Sequence, residues 1–523
     1  MLYNKEKGWG YMKLKKTFAS LLSLGFILSP MSVYAEDDIV AVAEDNTAYT
    51  SYQNAWNAAK SGLKIYMMQD WNLEDRLVVE ENQNVTIEMN GCKINRNLGT
   101  DYEFGGEVIY LDENSTLTLT GNKYKNTEFS YKGYNRTWQP SDETLTSGGL
   151  VTGGASEDGA GGIHMKEGSK LYLENVAIAG NASTLIKNNG GAINVNNDDC
   201  EVHMTNAILG YNSASRGGGI FVDGENTIIT MDASTICNNY SSMEGGGIYS
   251  NDDATYVTMT NGSTIDYNRS SEDGGGIYFD NPYCQVRSPD NTAVISNNYS
   301  YEDGGGVGYG EAIRGDTQII EGVTFDSNTS EYSGGAIYAD QKRLTFKDCV
   351  FTKNSAQASG GAVYVDASNV NFSNCTMQEN SASDNGGGIY VAGSFDIYVS
   401  GKMIVENNTR SDGSKDDIYL DTNWPQKAYV SGTPDVGSSV GIRCASEQKV
   451  GIDQTEDNGS FFADEDGFKI SYDDGKLYKE SGSVLGSIFG NANLGAAVVV
   501  IVGIVAVGAV ALIVSKRKNH VEA

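Results

Sequence analysis

Six aromatic residues recur at near-constant spacing through the middle of the chain: Phe221, Tyr249, Tyr278, Tyr338, Tyr364 and Tyr390, with Gly308 breaking the row. Two positions beyond five of them stand Asp223, Asn251, Asp280, Asp340 and Asp366. If the two columns share one surface, rings that stack on sugar faces lie beside amides and carboxylates that bond hydroxyls, which is what glycan binding requires. Asp340 and Asp366 carry a second chemistry, because paired carboxylates can divide acid and base work in hydrolysis or hold calcium. Both columns also have a purely architectural use: tyrosine favours strands and stacks on itself there, and aspartate opens turns.

Other chemistry is poorly supplied. There are three histidines (His164, His203 and His520), which leaves little for histidine-based catalysis. The seven cysteines are an odd number without a Cys-x-x-Cys pair, so neither a zinc site nor a dense disulfide framework is indicated. Cys349 and Cys375 share a column and can stack as reduced core residues, although that spacing also permits a disulfide. An acidic row of Glu244, Glu272, Asp273, Glu302, Asp303, Glu331 and Asp384 precedes glycines, but no EF-hand or Asp-rich nonapeptide spacing marks it as a calcium site.

What positions the aromatic row is a repeat. One position before each ring lies the branched end of a Gly-Gly-(Gly/Ala)-(Ile/Val) stretch; Ile163, Ile193, Ile220, Ile248, Ile277, Val307, Ile337, Val363 and Ile389 follow at steps of 26 to 30 residues. A second series, Asn181, Asn212, Asn239, Asn268, Asn298, Asn328, Asn354, Asn380 and Asn407, runs in step with it. Two locked series at this period signal a solenoid or a propeller. Within a unit the apolar residues come in three bursts of period two, as at Ile337/Ala339, Leu344/Phe346 and Cys349/Phe351. Each burst reads as a short strand with one face inward.

Three strands that return to one column within about 28 residues close one coil of a parallel β-helix, whereas a propeller blade needs about 40 residues. The fold class is therefore all-β, a parallel β-helix with three strands per coil and neighbouring coils about 4.8 Å apart. The residue three before each asparagine (Ile178, Leu209, Ile236, Ile265, Ile295, Phe325, Phe351, Met377, Ile404) forms a core stripe. Glycine serves the sharp turn into a strand, and asparagine tolerates left-handed geometry while its amide bonds stacked copies of itself. Asn181, Asn239, Asn298 and Asn328 also sit in Asn-x-Ser/Thr, which matters for glycosylation only if their amides are exposed.

The ends read differently. Residues 1–35 hold a secretory signal, with Lys13, Lys15 and Lys16 before an apolar run and Val33-Tyr34-Ala35 at the cleavage pattern. Residues 36–100 read as an N-terminal cap and entry strands, with a short helix through Tyr52, Ala55, Trp56 and Ala59. The β-helix spans 101–410, with a polar loop or hairpin leaving the stack near 122–146. Residues 411–480 read as a C-terminal β cap, 481–493 as a Gly/Ser-rich spacer, and Leu494–Val514 as an uncharged membrane helix. Lys516, Arg517 and Lys518 place the tail, 515–523, in the cytoplasm. Between signal and anchor 29 basic residues face 66 acidic ones, a net charge near −37 that repels nucleic acid and anionic lipid.

Gly334-Gly335-Ala336-Ile337, Gly190-Gly191-Ala192-Ile193, Phe325–Asn328 and Phe351–Asn354 resemble the Gly-Gly-Ala-Ile and Phe-x-x-Asn repeats of polymorphic membrane proteins. Roughly residues 60 to 480 resemble right-handed parallel β-helix surface proteins, pectate-lyase-like in fold. That resemblance implies surface display and adhesion, and the likeness to β-helix lyases and glycosidases implies that an outer strand face could host a carboxylate site at Asp340 and Asp366. The chain departs from the polymorphic membrane proteins in ending on one helix where they end in an outer-membrane barrel. That ending, with the style of the signal segment, looks more like a Gram-positive bacterium. No Leu-Pro-x-Thr-Gly signal precedes the helix, so attachment to peptidoglycan is not expected. The expectation is a single-pass cell-surface adhesin that binds a glycan or surface protein of a host or neighbouring cell through the aromatic row, with no nucleic-acid partner. A polysaccharide-degrading enzyme and a plain structural stalk are the alternatives.

Overall fold

The structure, a computed structural model, describes residues 38–481 apart from 99–100, 123–125, 135–139, 184–188, 252–253, 281–282, 311–317, 341–342, 367–369, 393–395, 422–429, 433, 445–458, 465–467 and 474–475. The expected signal segment and the expected membrane helix Leu494–Val514 lie outside the described residues. No described helix is long and apolar enough to cross a membrane.

The chain coils into a parallel β-helix solenoid of about ten turns. One coil shows the plan: Ile337–Asp340, Leu344–Lys347 and Val350–Thr352 form three strands, each paired in parallel with its counterpart one coil on. The branched anchors are in register, with Ile337 opposite Val363 and Val363 opposite Ile389. The core stripe before the asparagines is equally aligned, with Phe325 opposite Phe351 and Phe351 opposite Met377. The two phenyl rings stack at 5.0 Å between centroids. Period-two alternation thus sends every second side chain into one continuous apolar interior that runs from Ala41 to Ile442.

Four details differ from the sequence reading. From Ala155 onward each coil has a fourth strand, two residues long, which from Asn181 on directly follows the ladder asparagine: Ala155–Ser156 through Ser355–Ala356 to Thr409–Arg410 form a ladder of ten. Its inward positions hold only serine or alanine, as at Ser241, Ser270, Ser300, Ser330, Ala356 and Ala382, so no burst of large apolar residues announced it. The left-handed backbone falls on the residue before the ladder asparagine, as at Tyr211, Tyr267, Ser327, Lys353 and Glu379, and not on the asparagine itself. In the last coil, the ladder residue is therefore Asn408; Asn407, with φ of 63°, holds the turn before it. Val405, not Ile404, then continues the core stripe opposite Met377.

The excursion near 122–146 is an antiparallel hairpin, Thr127–Tyr134 with Pro140–Ser147. It does not leave the stack: Phe129 and Tyr131 pack back onto Leu150, Ala177 and Ala179. Nor do the ladders stop at 410, since Ile418–Leu420, Val430–Ser431 and Ser439–Cys444 prolong three of them. At the near end the helix α1, Tyr52–Lys60, is capped by Ser51, whose side chain accepts the Asn54 N–H. It turns Ala55, Trp56 and Ala59 inward, closing the first coil.

Glycine and asparagine do the turn work. In Gly245-Gly246-Gly247 the first glycine has φ of 67°, and a Cβ on the second would strike backbone of the next coil at 2.4 Å. Each ladder asparagine bridges three coils. Asn328 Nδ2 donates to Ile295 O at 2.8 Å and to Asn354 Oδ1 at 3.0 Å, while its own Oδ1 accepts from Asn298 N and Asn298 Nδ2. All four hydrogen-bonding positions of that amide are used. Asn181, Asn239, Asn298 and Asn328 are buried in this ladder, so their Asn-x-Ser/Thr matches offer no exposed amide.

Cys349 and Cys375 are buried free thiols, each donating to a carbonyl of the coil below. Burial holds the Cys349 thiol well above its ordinary range. Neither is expected to react with a maleimide in the native protein, and reduction should leave electrophoretic mobility unchanged. Labelling of both without denaturant would show that the core opens.

Candidate functional site

The aromatic row is one unbroken register on the first strand of each coil. Phe221 lies opposite Tyr249, Tyr249 opposite Tyr278, Tyr278 opposite Gly308, Gly308 opposite Tyr338, and Tyr338, Tyr364 and Tyr390 follow. All six predicted residues are therefore brought together in the two runs that Gly308 separates. The row is longer than the glycine motif indicates: Tyr419 extends it opposite Tyr390, and Tyr110 and His164 begin it.

The rings face away from the main core, yet they are not open to solvent as expected. Successive rings stack nearly parallel, with centroids at 5.2 Å for Phe221–Tyr249, 5.6 Å for Tyr249–Tyr278 and 5.1 Å for Tyr364–Tyr390. A coil rise of about 4.8 Å is close to the stacking distance of arenes, so each ring covers its neighbour's face. Phe221, Tyr249 and Tyr278 retain 4%, 2% and 8% of their surface and form a small apolar cluster of their own. Tyr338, Tyr364 and Tyr390 are half-buried. Tyr278 leans into the break in the row, where a side chain on Gly310 would meet its hydroxyl.

The hydroxyl ends are also engaged. Tyr249 donates to Asp280 Oδ2 at 3.3 Å and Tyr390 to Asp421 Oδ2 at 3.0 Å, and Asn251 Nδ2 donates to Asp223 Oδ1 at 2.7 Å. Burial first, then the neighbouring carboxylates, hold the Tyr249 and Tyr278 phenols well above their ordinary range. These rings are neutral donors at any physiological pH.

Asp340 and Asp366 pair in register on neighbouring coils, as the repeat requires. The Asp340 side chain lies outside the described residues. Asp366 is half-buried, and burial raises its carboxyl above the ordinary range.

The acidic row runs along the turn that feeds this face. Asp273 Oδ1 accepts the Asp303 N–H at 2.7 Å, and Asp303 Oδ1 accepts the Ser333 N–H at 2.6 Å. Arg216 pairs with Glu244 at 2.6 Å and lies over the Tyr249 ring, 5.3 Å from its centroid. The carboxylates here satisfy backbone donors of the next turn. Among the described residues no group of three carboxylate, histidine or cysteine side chains is placed to hold a metal ion.

Two residues that pattern reading did not single out stand on the same turn. Tyr301 and Tyr332 are each 56% exposed, on consecutive coils, beside Glu302 and Glu331. They occupy neighbouring columns, next to acidic residues and away from the glycine-anchored register, so their recurrence was diluted. A hollow of about 210 Å³ lies elsewhere, between the hairpin and the third strands, lined by Lys93, Asn95, Tyr131, Lys132 and Thr152. The Lys93 ammonium there is 3.7 Å from Asp70.

No curated protein matches the chain. Residues 309–431 match the model of the family described as Right handed beta helix region. That stretch contains Tyr332, Tyr338, Tyr364, Tyr390 and the Asp340–Asp366 pair, so register, ladder pairing and family match agree that this is a parallel β-helix protein.

Proposed function

We propose that the chain is a cell-surface binding protein, an adhesin in kind, whose rigid solenoid presents tyrosines to a glycan ligand. The observation that carries this reading is where tyrosine remains reachable by solvent. Tyr301 and Tyr332 are more than half exposed on a turn, and Tyr338, Tyr364 and Tyr390 are half-buried on the face that the turn enters. Exposed rings next to Glu302 and Glu331 can stack on a sugar and bond its hydroxyls, whereas the Phe221–Tyr278 segment is spent on its own packing. The secretory leader, the Leu494–Val514 anchor and the likeness to polymorphic membrane protein repeats support display outside a bacterial cell.

The test is a glycan-array screen of the full-length protein with three variants. Y301A/Y332A is expected to weaken a hit by about tenfold, as about 0.5–1.5 kcal/mol per aromatic contact implies. Y338A/Y364A/Y390A is expected to weaken it further, and F221A to leave it unchanged. An array without hits, or hits indifferent to both tyrosine sets, leaves a structural stalk. Cleavage of a polysaccharide that Asp366→Asn abolishes would make the chain an enzyme, with the Asp340–Asp366 pair as its centre.

A further inference from the structure

The far end of the solenoid brings three aspartates together. Asp416 and Asp417 precede Ile418 where earlier coils carry glycines, and Asp464 follows Phe461–Ala463, a strand paired in parallel with Ser439–Cys444. Asp416 and Asp417 are fully buried. One oxygen of Asp417 ends the asparagine ladder, accepting from Asn408 N at 2.8 Å and from Asn408 Nδ2 at 2.7 Å. One oxygen of Asp464 accepts the Asp417 N–H at 2.7 Å.

The other two oxygens, Asp417 Oδ2 and Asp464 Oδ1, are buried and have no hydrogen-bond partner among the described residues. Both point at Gly441, where an added Cβ would lie 2.3 Å from the first and 2.2 Å from the second. Two such oxygens repel when both groups are ionised, but one proton between them turns two orphaned acceptors into one hydrogen bond. We propose that Asp417 and Asp464 share a single proton and form an acid-closed clasp that docks Phe461–Ala463 over the end of the solenoid.

The surrounding charges fit this assignment. Arg443 and Arg410 reach Asp416, at 3.4 and 3.8 Å, and among the described residues no ion pair reaches Asp417 or Asp464. Lys415 favours the Asp417 charge from a distance, and Asn408 contributes neutral donors. Burial and then the Asp417 charge push Asp464 up to about 8, while burial pushes Asp416 up to about 6. A carboxyl raised in the folded state adds stability that is full below its ordinary value of 3.8 and is lost as pH rises through the folded value. Above about pH 6.5 Asp416 is mostly ionised whether the strand is docked or not, so the remaining slope belongs to the pair.

Hydrogen exchange at the Asp417 and Asp464 amides of the full-length protein, corrected for intrinsic rates, tests the clasp. The opening constant should rise about tenfold per unit between about pH 6.5 and about pH 7.5 and level off above about pH 8. In D464N, and separately in D417N, the amide supplies the donor in place of the proton; protection should persist and the slope vanish. A wild-type profile without slope, or the same slope in both variants, would overturn the clasp. So would protection at about pH 8 that depends on added calcium, which would assign the two oxygens to a cation.

Discussion

Asn328→Ala should lower stability by about 4 kcal/mol, because it orphans three buried groups at about 1–3 kcal/mol each. The Asn298 N–H and Asn298 Nδ2 lose their acceptor, and Ile295 O loses its donor. Urea unfolding followed by circular dichroism checks this, with Asn407→Ala as the comparison. Asn407 is exposed and only holds a positive-φ turn, so its loss should cost about 1 kcal/mol. Equal costs at the two positions would mean that turn geometry, and not the amide ladder, holds the coils.

Gly335→Ala should cost about 3 kcal/mol or more, enough to push neighbouring coils apart locally. An added Cβ would lie 2.2 Å from Gly361 O and 2.6 Å from both Ser355 C and Ser355 N, so an entire stretch of neighbouring backbone would have to move. The next position marks the limit of tolerance. At Gly306 the sole backbone atom within 3 Å is one carbonyl oxygen, at 2.7 Å, and the equivalent positions of other coils already carry Ala192, Ala336 and Ala362. Gly262→Ala is the control, since its Cβ would meet nothing within 4 Å and only the φ of 74° opposes it. Its expected cost is about 1 kcal/mol. Thermal unfolding of the two variants separates close packing from backbone strain; similar losses would remove the packing argument.

How far the fold could be read follows from which residues advertise their place. Ile337, Val363 and Ile389 are large, branched and periodic, so the coil, the first strand and the core stripes were legible. The fourth strand was not, because Ser355–Ala356 and its counterparts are two residues long and turn only a serine or an alanine inward, which gives no apolar alternation. The Asn407–Asn408 pair hid the true rung behind an identical neighbour. Tyr419 was missed because Asp416 and Asp417 replace the glycines that flagged the other rings. The orientation of the aromatic row was legible, but its burial was not: whether Tyr249 offers its face to a ligand or to Tyr278 depends on coil rise matching ring spacing, a three-dimensional quantity.

The asparagine ladder also has a direction. Every rung sends its backbone N–H and one amide hydrogen forward to the next rung, from Asn181 to Asn212 and onward to Asn408. A newly added coil therefore always presents unmet donors at its growing edge, and the following coil quenches them. At the far end the carboxylate of Asp417 takes the place of an amide: it accepts both hydrogens of the last rung and passes on only its backbone N–H, to Asp464 Oδ2. Stacking is thus polar along the solenoid, and its two ends are chemically unlike: donors face forward throughout, and a carboxylate receives the last pair.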